Sequence, residues 1–171
     1  MSVDPYWTRE PDKRLRYCQY KIESDQPLLQ LFLCDYWKAF GENQDCLMDI
    51  AGIPHEFYYH TRLFQLVRYA HDEKRPLKDA PGLLFTTDEE TDAKGLFLLS
   101  VTFEWNSYLY FPGSQVTLLN WEGELMDFWA YTESNMSKMG EVMEGIGWNK
   151  SGRMRSPLAE KSLQPADPSA K

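Results

Sequence analysis

The segment LFLLSVTFEWNSYLYFPGSQVTLLNWEGELMDFWAYT, residues 96 to 132, carries the architecture of this chain. Residues 96–105 alternate: Phe97, Leu99, Val101, Phe103 and Trp105 fall on one side, Leu98, Ser100, Thr102 and Glu104 on the other, which is strand periodicity. Asn106-Ser107 reads as a tight turn into YLYF, Pro112-Gly113 as the next, and Glu122-Gly123 as a hairpin turn between QVTLLNW and ELMDFWAYT. Together these spacings predict a four-strand antiparallel meander, five with GLLFTT at 82–87.

Directly opposed residues of an antiparallel pair share a face, so the turns assign the faces. A turn at 106–107 pairs Trp105 with Tyr108; one at 112–115 pairs Phe111 with Val116 and Leu109 with Leu118; one at 122–123 pairs Leu119 with Met126. The first face then gathers Phe97, Val101, Trp105, Tyr108, Tyr110, Leu119, Trp121, Met126 and Phe128, and is expected to be the core. The second gathers Glu104, Leu109, Phe111, Val116, Leu118, Asn120, Asp127 and Trp129. It is mixed in character. Either it is left bare as a contact surface, or the last helix or the N-terminal arm lies across it.

Upstream of the meander, LRYCQYKIE (15–23) alternates with Cys18, Tyr20 and Ile22 on one side, a strand signal. In SDQPLLQLFLCDYWKAFG, apolar residues recur at three and four behind a capping Ser24 or Asp25, predicting a helix over 26–40 that stops at Gly41. DCLMDIAG (45–52) is expected to be a short helix, and a longer one runs from Pro54 to about Asp72. After the meander, Met136, Met139, Val142, Met143 and Ile146 form the apolar stripe of a closing helix. The fold expected is therefore α+β: a meander over about 82–132, packed on one face by N-terminal helices and closed by a C-terminal helix. Residues 1–148 form its one domain, with 1–14 as a loose arm and 149–171 as a disordered tail.

Twenty-five aromatic residues in 171 supply enough apolar area for a real core. No apolar run approaches a membrane span, and MSVDPYWTREPDKR has no apolar h-region, so neither a spanning helix nor a secretory leader is expected. Three cysteines (Cys18, Cys34 and Cys46) without CxxC spacing fit the reduced cytoplasm and read as small buried hydrophobes. The net charge is −8; residues 149–171 carry +3, which leaves −11 on the body. That sign disfavours nucleic acid and anionic membranes as partners and permits a basic protein.

HEFYYHTR (55–62) imitates a zinc-protease signature, but His55 and His60 are five apart, about 140° around a helix, where a shared metal needs i and i+4. His60 falls instead on a stripe with Phe57, Phe64, Val67 and His71, predicting packing and a hydrogen bond at the helix–sheet seam. Phosphate loops and nucleophile elbows are absent, and neither metal nor cofactor is expected. Glu104 and Asp127 share a row of the expected sheet but would stand roughly 14 Å apart, too far for a paired-carboxylate hydrolase. Asp88, Glu89, Glu90 and Asp92 lack the alternation of a calcium loop and read as a solvated connector.

The function expected is a non-enzymatic acidic module that neutralises or scaffolds a basic protein, with Glu104, Glu122, Glu124, Asp127, Trp129, Asp88, Glu89 and Glu90 as its contact residues. Toxin-neutralising immunity proteins share this general appearance, although no specific motif carries the likeness. Two alternatives stand beside it. One is a small hydrolase or transferase gathering His60 or His71 with Cys34, Glu104 or Asp127; the other is a structural subunit whose mixed face is buried in a homodimer.

Overall fold

The computed structural model describes residues 16–23, 25–53 and 58–155. The arm at 1–14 and the tail beyond 155 lie outside the described residues. The elements are β1 (Arg16–Lys21), α1 (Gln26–Phe40), β2 (Cys46–Gly52), α2 (Tyr58–Ala70), β3 (Gly82–Phe85), a 3-10 turn (Thr87–Glu89), α3 (Glu90–Thr102), β4 (Asn106–Phe111), β5 (Val116–Trp121), β6 (Leu125–Ala130), α4 (Glu133–Ile146) and β7 (Lys150–Arg155). The fold is α+β. All strand pairs are antiparallel, in one seven-stranded sheet of order β3-β2-β4-β5-β6-β1-β7. The expected meander survives as β4-β5-β6, and β1 and β2 flank it.

Three expectations about the elements are corrected. Residues 96–105 are not a strand: they lie in α3 and the turn after it. A short apolar run fits either period, and the segment before it decides. Thr86-Thr87-Asp88-Glu89 has the T-x-x-E spacing of a helix start; the Glu89 carboxylate accepts from the Thr86 backbone N–H at 2.8 Å and its hydroxyl at 2.9 Å. Asp88, Glu89, Glu90 and Asp92 then place negative charge at the positive end of the helix dipole. Ala93, Leu96, Phe97, Ser100 and Val101 are the buried stripe that results.

Residues 45–52 are not a helix but β2, in which Cys46, Met48 and Ile50 are buried and Leu47 and Asp49 face the other way. The period is two. Finally, Lys150–Arg155, expected in the tail, form β7 along β1.

The N-terminal helix behaves as its residues dictate. The Asp25 carboxylate accepts from the Leu28 N–H at 3.3 Å, and Leu29, Phe32, Leu33, Tyr36, Trp37 and Phe40 are buried. Gly41 follows because nothing larger fits: a Cβ there would stand 2.7 Å from the Phe111 ring and 2.8 Å from Trp37. In α4, Thr132 provides the cap, accepting from the Asn135 N–H at 3.1 Å, and Met139 and Met143 are buried.

The faces of the sheet are decided at the β5–β6 connection. Phe111↔Val116 and Leu109↔Leu118 pair as the sequence indicates. The next turn, however, holds three residues, Glu122 to Glu124, and pairs Trp121 with Leu125 and Leu119 with Asp127. A one-residue slip exchanges faces. Leu109, Phe111, Val116 and Leu118 therefore join Met126 and Phe128 in the core, while Tyr108, Tyr110, Leu119 and Trp121 join Asp127 and Trp129 on the opposite, outer face.

The helices meet the core face. Tyr36 and Trp37 of α1 lie 5.7 and 4.8 Å from the Phe111 ring, and Phe40 lies 5.3 Å from Phe128. The Ser100 hydroxyl of α3 is 2.7 Å from that of Ser107 in β4, and Phe64 of α2 packs on Trp105. Helix α4 packs beside α1, and Phe32 stacks on the Trp148 that follows it. Among the described residues no helix is long and apolar enough to cross a membrane.

Asn120 fixes the three-residue turn. Fully buried, it donates from Nδ2 to the Trp105 carbonyl at 2.8 Å and accepts from the Gly123 N–H at 3.1 Å. Asn120→Ala strands both groups, so urea unfolding should show a loss of about 2–3 kcal/mol. Leu84→Ala, at a side chain 63% exposed, should change stability by less than about 0.5 kcal/mol.

Candidate functional site: the outer face of the sheet

The outer face is read directly from the register. One row crosses it as Leu84, Leu47, Tyr110, Thr117, Trp129 and Tyr17, and the next as Gly82, Asp49, Tyr108, Leu119, Asp127 and Gln19. Trp121, Leu125 and Lys21 close one corner. Among the described residues no helix lies across it. Its aromatic side chains are half-buried, apart from Trp121, which is 41% exposed. Tyr17 and Trp129 pack ring against ring at 5.4 Å.

Two carboxylates sit in this aromatic field, three strand spacings or roughly 14 Å apart. Their surroundings are opposite. Asp127 is buried and fully engaged: it accepts from the Tyr17 hydroxyl at 2.8 Å, the Gln19 amide at 2.7 Å and the Trp121 indole N–H at 2.6 Å. Three donors to one carboxylate make a charge-assisted network that fixes Tyr17 and Trp121 in place. Asp49 has no such support. Its Oδ1 is shut off from solvent and meets no donor. Opposite it on β3 stands Gly82, which offers no side chain, and on β4 stands Tyr108. Burial pushes the Asp49 carboxyl from 3.8 up to about 6. Tyr108, between the two carboxylates, is pushed up to about 12 by its own burial, then by Asp49 and Asp127.

The residues expected at a contact site are divided among three places. Asp127 and Trp129 lie on the outer face, although Asp127 is paired with Leu119 and not aligned with Glu104. Glu104, Glu122 and Glu124 come together at one end of the sheet. Gly123 (φ 74°) abuts the Val101 carbonyl and Glu104, and Glu104 and Glu122 themselves adopt φ of 57° and 48°. Asp88, Glu89 and Glu90 stand at the other end of α3, about 20 Å away along 13 residues. Glu89 accepts from Thr86 and lies 3.3 Å from His71, and Glu90 pairs with Lys94.

Asp49, Tyr17, Gln19, Tyr108, Tyr110 and Trp121 were missed as site residues. The signal for Asp49 and Gln19 was present: each is the polar member of an alternating run, between Met48 and Ile50 and between Cys18 and Tyr20.

The groupings sought for catalysis are not assembled by the described contacts. His60 accepts from the Trp105 indole N–H at 3.2 Å and packs 4.6 Å from Phe103; His71 faces Glu89 and Phe85. Both lie on the helix side, with the sheet between them and Asp127. Cys46 is buried with its thiol pushed up to about 12, chiefly by desolvation, Cys18 likewise to about 11, and Cys34 is exposed on α1. His55 lies outside the described residues. Among the described residues no cluster of three His, Cys, Asp or Glu is placed to hold a metal.

No family model, curated protein or solved structure matches the chain.

Two predictions test the geometry. In His60→Ala the buried Trp105 N–H loses its acceptor, so stability should fall by about 1–3 kcal/mol, while a zinc chelator leaves the wild-type melting temperature unchanged. For Asp49, the folded state holds the proton more tightly than the unfolded chain. Its contribution to stability therefore falls as pH rises from about 4 to 6, and the penalty is complete above 6. Asp49→Asn should be more stable than wild type at pH 7.5, by at most about 3 kcal/mol, and equal to it near pH 4.

Proposed function

We propose that the protein is a non-enzymatic binding module that holds a basic protein on the outer face of its sheet, neutralising or scaffolding it in the cytoplasm. The observation that carries this reading is the composition of that face. Tyr17, Tyr108, Tyr110, Trp121 and Trp129 surround Asp49 and Asp127, and the basic residues that the register places on this face, Lys21 at one corner and Arg155 opposite Tyr17 on β7, lie at its β1–β7 edge. Tyr and Trp are the residues that anchor protein interfaces, because they bring large area at low entropic cost. Glu104, Glu122 and Glu124 form an acidic rim at one end, and Asp88, Glu89 and Glu90 extend the negative field from the far end of α3. Residues 1–155, β7 included, carry a net charge of −8, which favours a basic partner over nucleic acid and anionic lipid.

The test is capture from native extract with the wild-type chain and a Trp121→Ala, Trp129→Ala variant, each at about 50 and 500 mM salt. A basic protein retained only by the wild type, and released at high salt, is the expected result. Equal retention by the variant, or retention indifferent to salt, overturns the reading. So would light scattering that shows a dimer broken by the same two substitutions.

A further inference from the structure

Within that reading, we propose that Asp49 is the anchor of the surface: its carboxylate receives the guanidinium or ammonium group of an arginine or lysine from the partner. This inference rests on the outer face being the binding surface. The contrast between the two carboxylates supplies the argument. Asp127 already has three donors and needs nothing further. Asp49 has one oxygen without any donor, in a position that is only part-exposed, and no Lys or Arg is placed beside it by the register.

An unpaired, desolvated carboxylate costs a fold stability, and pairing it with a cation removes that cost. Asp49 is part-exposed and lies on the outer face, so a partner seated on that face comes up against it. The approach is shaped by its neighbours. Gly82 offers no side chain directly opposite Asp49 on β3, where Leu84 stands one row along, and Tyr108 and Tyr110 border the β4 side. Aromatic faces beside a carboxylate suit a planar guanidinium, which stacks while it donates. A rim acid such as Glu124 could attract the same cation at long range, but in full solvent it would hold it weakly.

The experiment follows the carboxyl carbon resonances of the full chain by NMR across a pH titration. The probes are N-acetyl-arginine methylamide and its neutral isostere N-acetyl-citrulline methylamide, at matched ionic strength. The expected result is an Asp49 midpoint that starts near 6 and drops by about one pH unit with the arginine probe alone, the size of effect an opposite charge at 4–6 Å produces. Asp127 should move much less, and Asp49→Asn should abolish the probe-dependent changes at Tyr108 and Tyr110. Equal responses to both probes, or one uniform across the surface carboxylates, overturn the proposal. So does a response seen only after residues 1–15 are deleted, because it would assign the position to the chain's own arm. A basic protein that is lost from the Trp121, Trp129 variant but bound normally by Asp49→Asn would sink this inference and leave the wider reading standing.

Discussion

The structure depends on the register between β5 and β6, and that register depends on one buried side chain. Asn120 ties the Trp105 carbonyl, where α3 turns into β4, to the Gly123 N–H in the β5–β6 turn. A two-residue turn would have paired Leu119 with Met126 and brought Asp127 and Trp129 to the core. The three-residue turn pairs Leu119 with Asp127 and sends both outward. Because side chains alternate with a strict period of two, no intermediate arrangement exists. The same amide holds the turn that gathers Glu104, Glu122 and Glu124.

The aromatic residues fill two different roles according to this register. On the core face, Tyr36, Phe40, Phe111 and Phe128 pack ring on ring, with centroid separations of 5.0–6.3 Å. Their close approach requires glycine at position 41. Some buried polar groups of this side are matched, as in the Ser100–Ser107 pair and the Trp105–His60 bond, whereas the Tyr20 and Tyr36 hydroxyls and the Trp148 indole N–H are buried without a hydrogen-bond partner among the described residues. On the outer face the same residue types surround carboxylates. Aromatic content alone therefore did not mark the site; what separates core ring from surface ring is the parity of its position along the strand.

The two carboxylates of the outer face show how a sheet sets chemistry. Asp127 and Asp49 lie in one row of the same face, yet one is gripped by Tyr17, Gln19 and Trp121 and the other lacks a donor at Oδ1. The difference comes from neighbouring strands. β1 lies on one side of Asp127 and supplies Tyr17 and Gln19, whereas β3 supplies glycine beside Asp49. Those neighbours are distant in sequence, so neither environment could be read locally. The Glu104–Asp127 alignment failed for a related reason: Glu104 lies in the turn after α3 and belongs to no strand.

Local chemistry determined much of the chain. The α+β class, the N-terminal helix with its Asp25 cap, the closing helix with its methionine stripe, and the β4–β5 pairing around Pro112-Gly113 all follow from residues within a few positions of one another. So does the start of α3, which the Thr86-x-x-Glu89 spacing marks ahead of the alternating run. Tertiary structure alone decided that β1 and β2 would flank the meander, which residues each face would carry, and that Asp49 would be left without a donor at Oδ1. The reason is that strand pairing is non-local: a face is set by the register of neighbouring strands, and β1 meets β6 across more than a hundred residues of sequence.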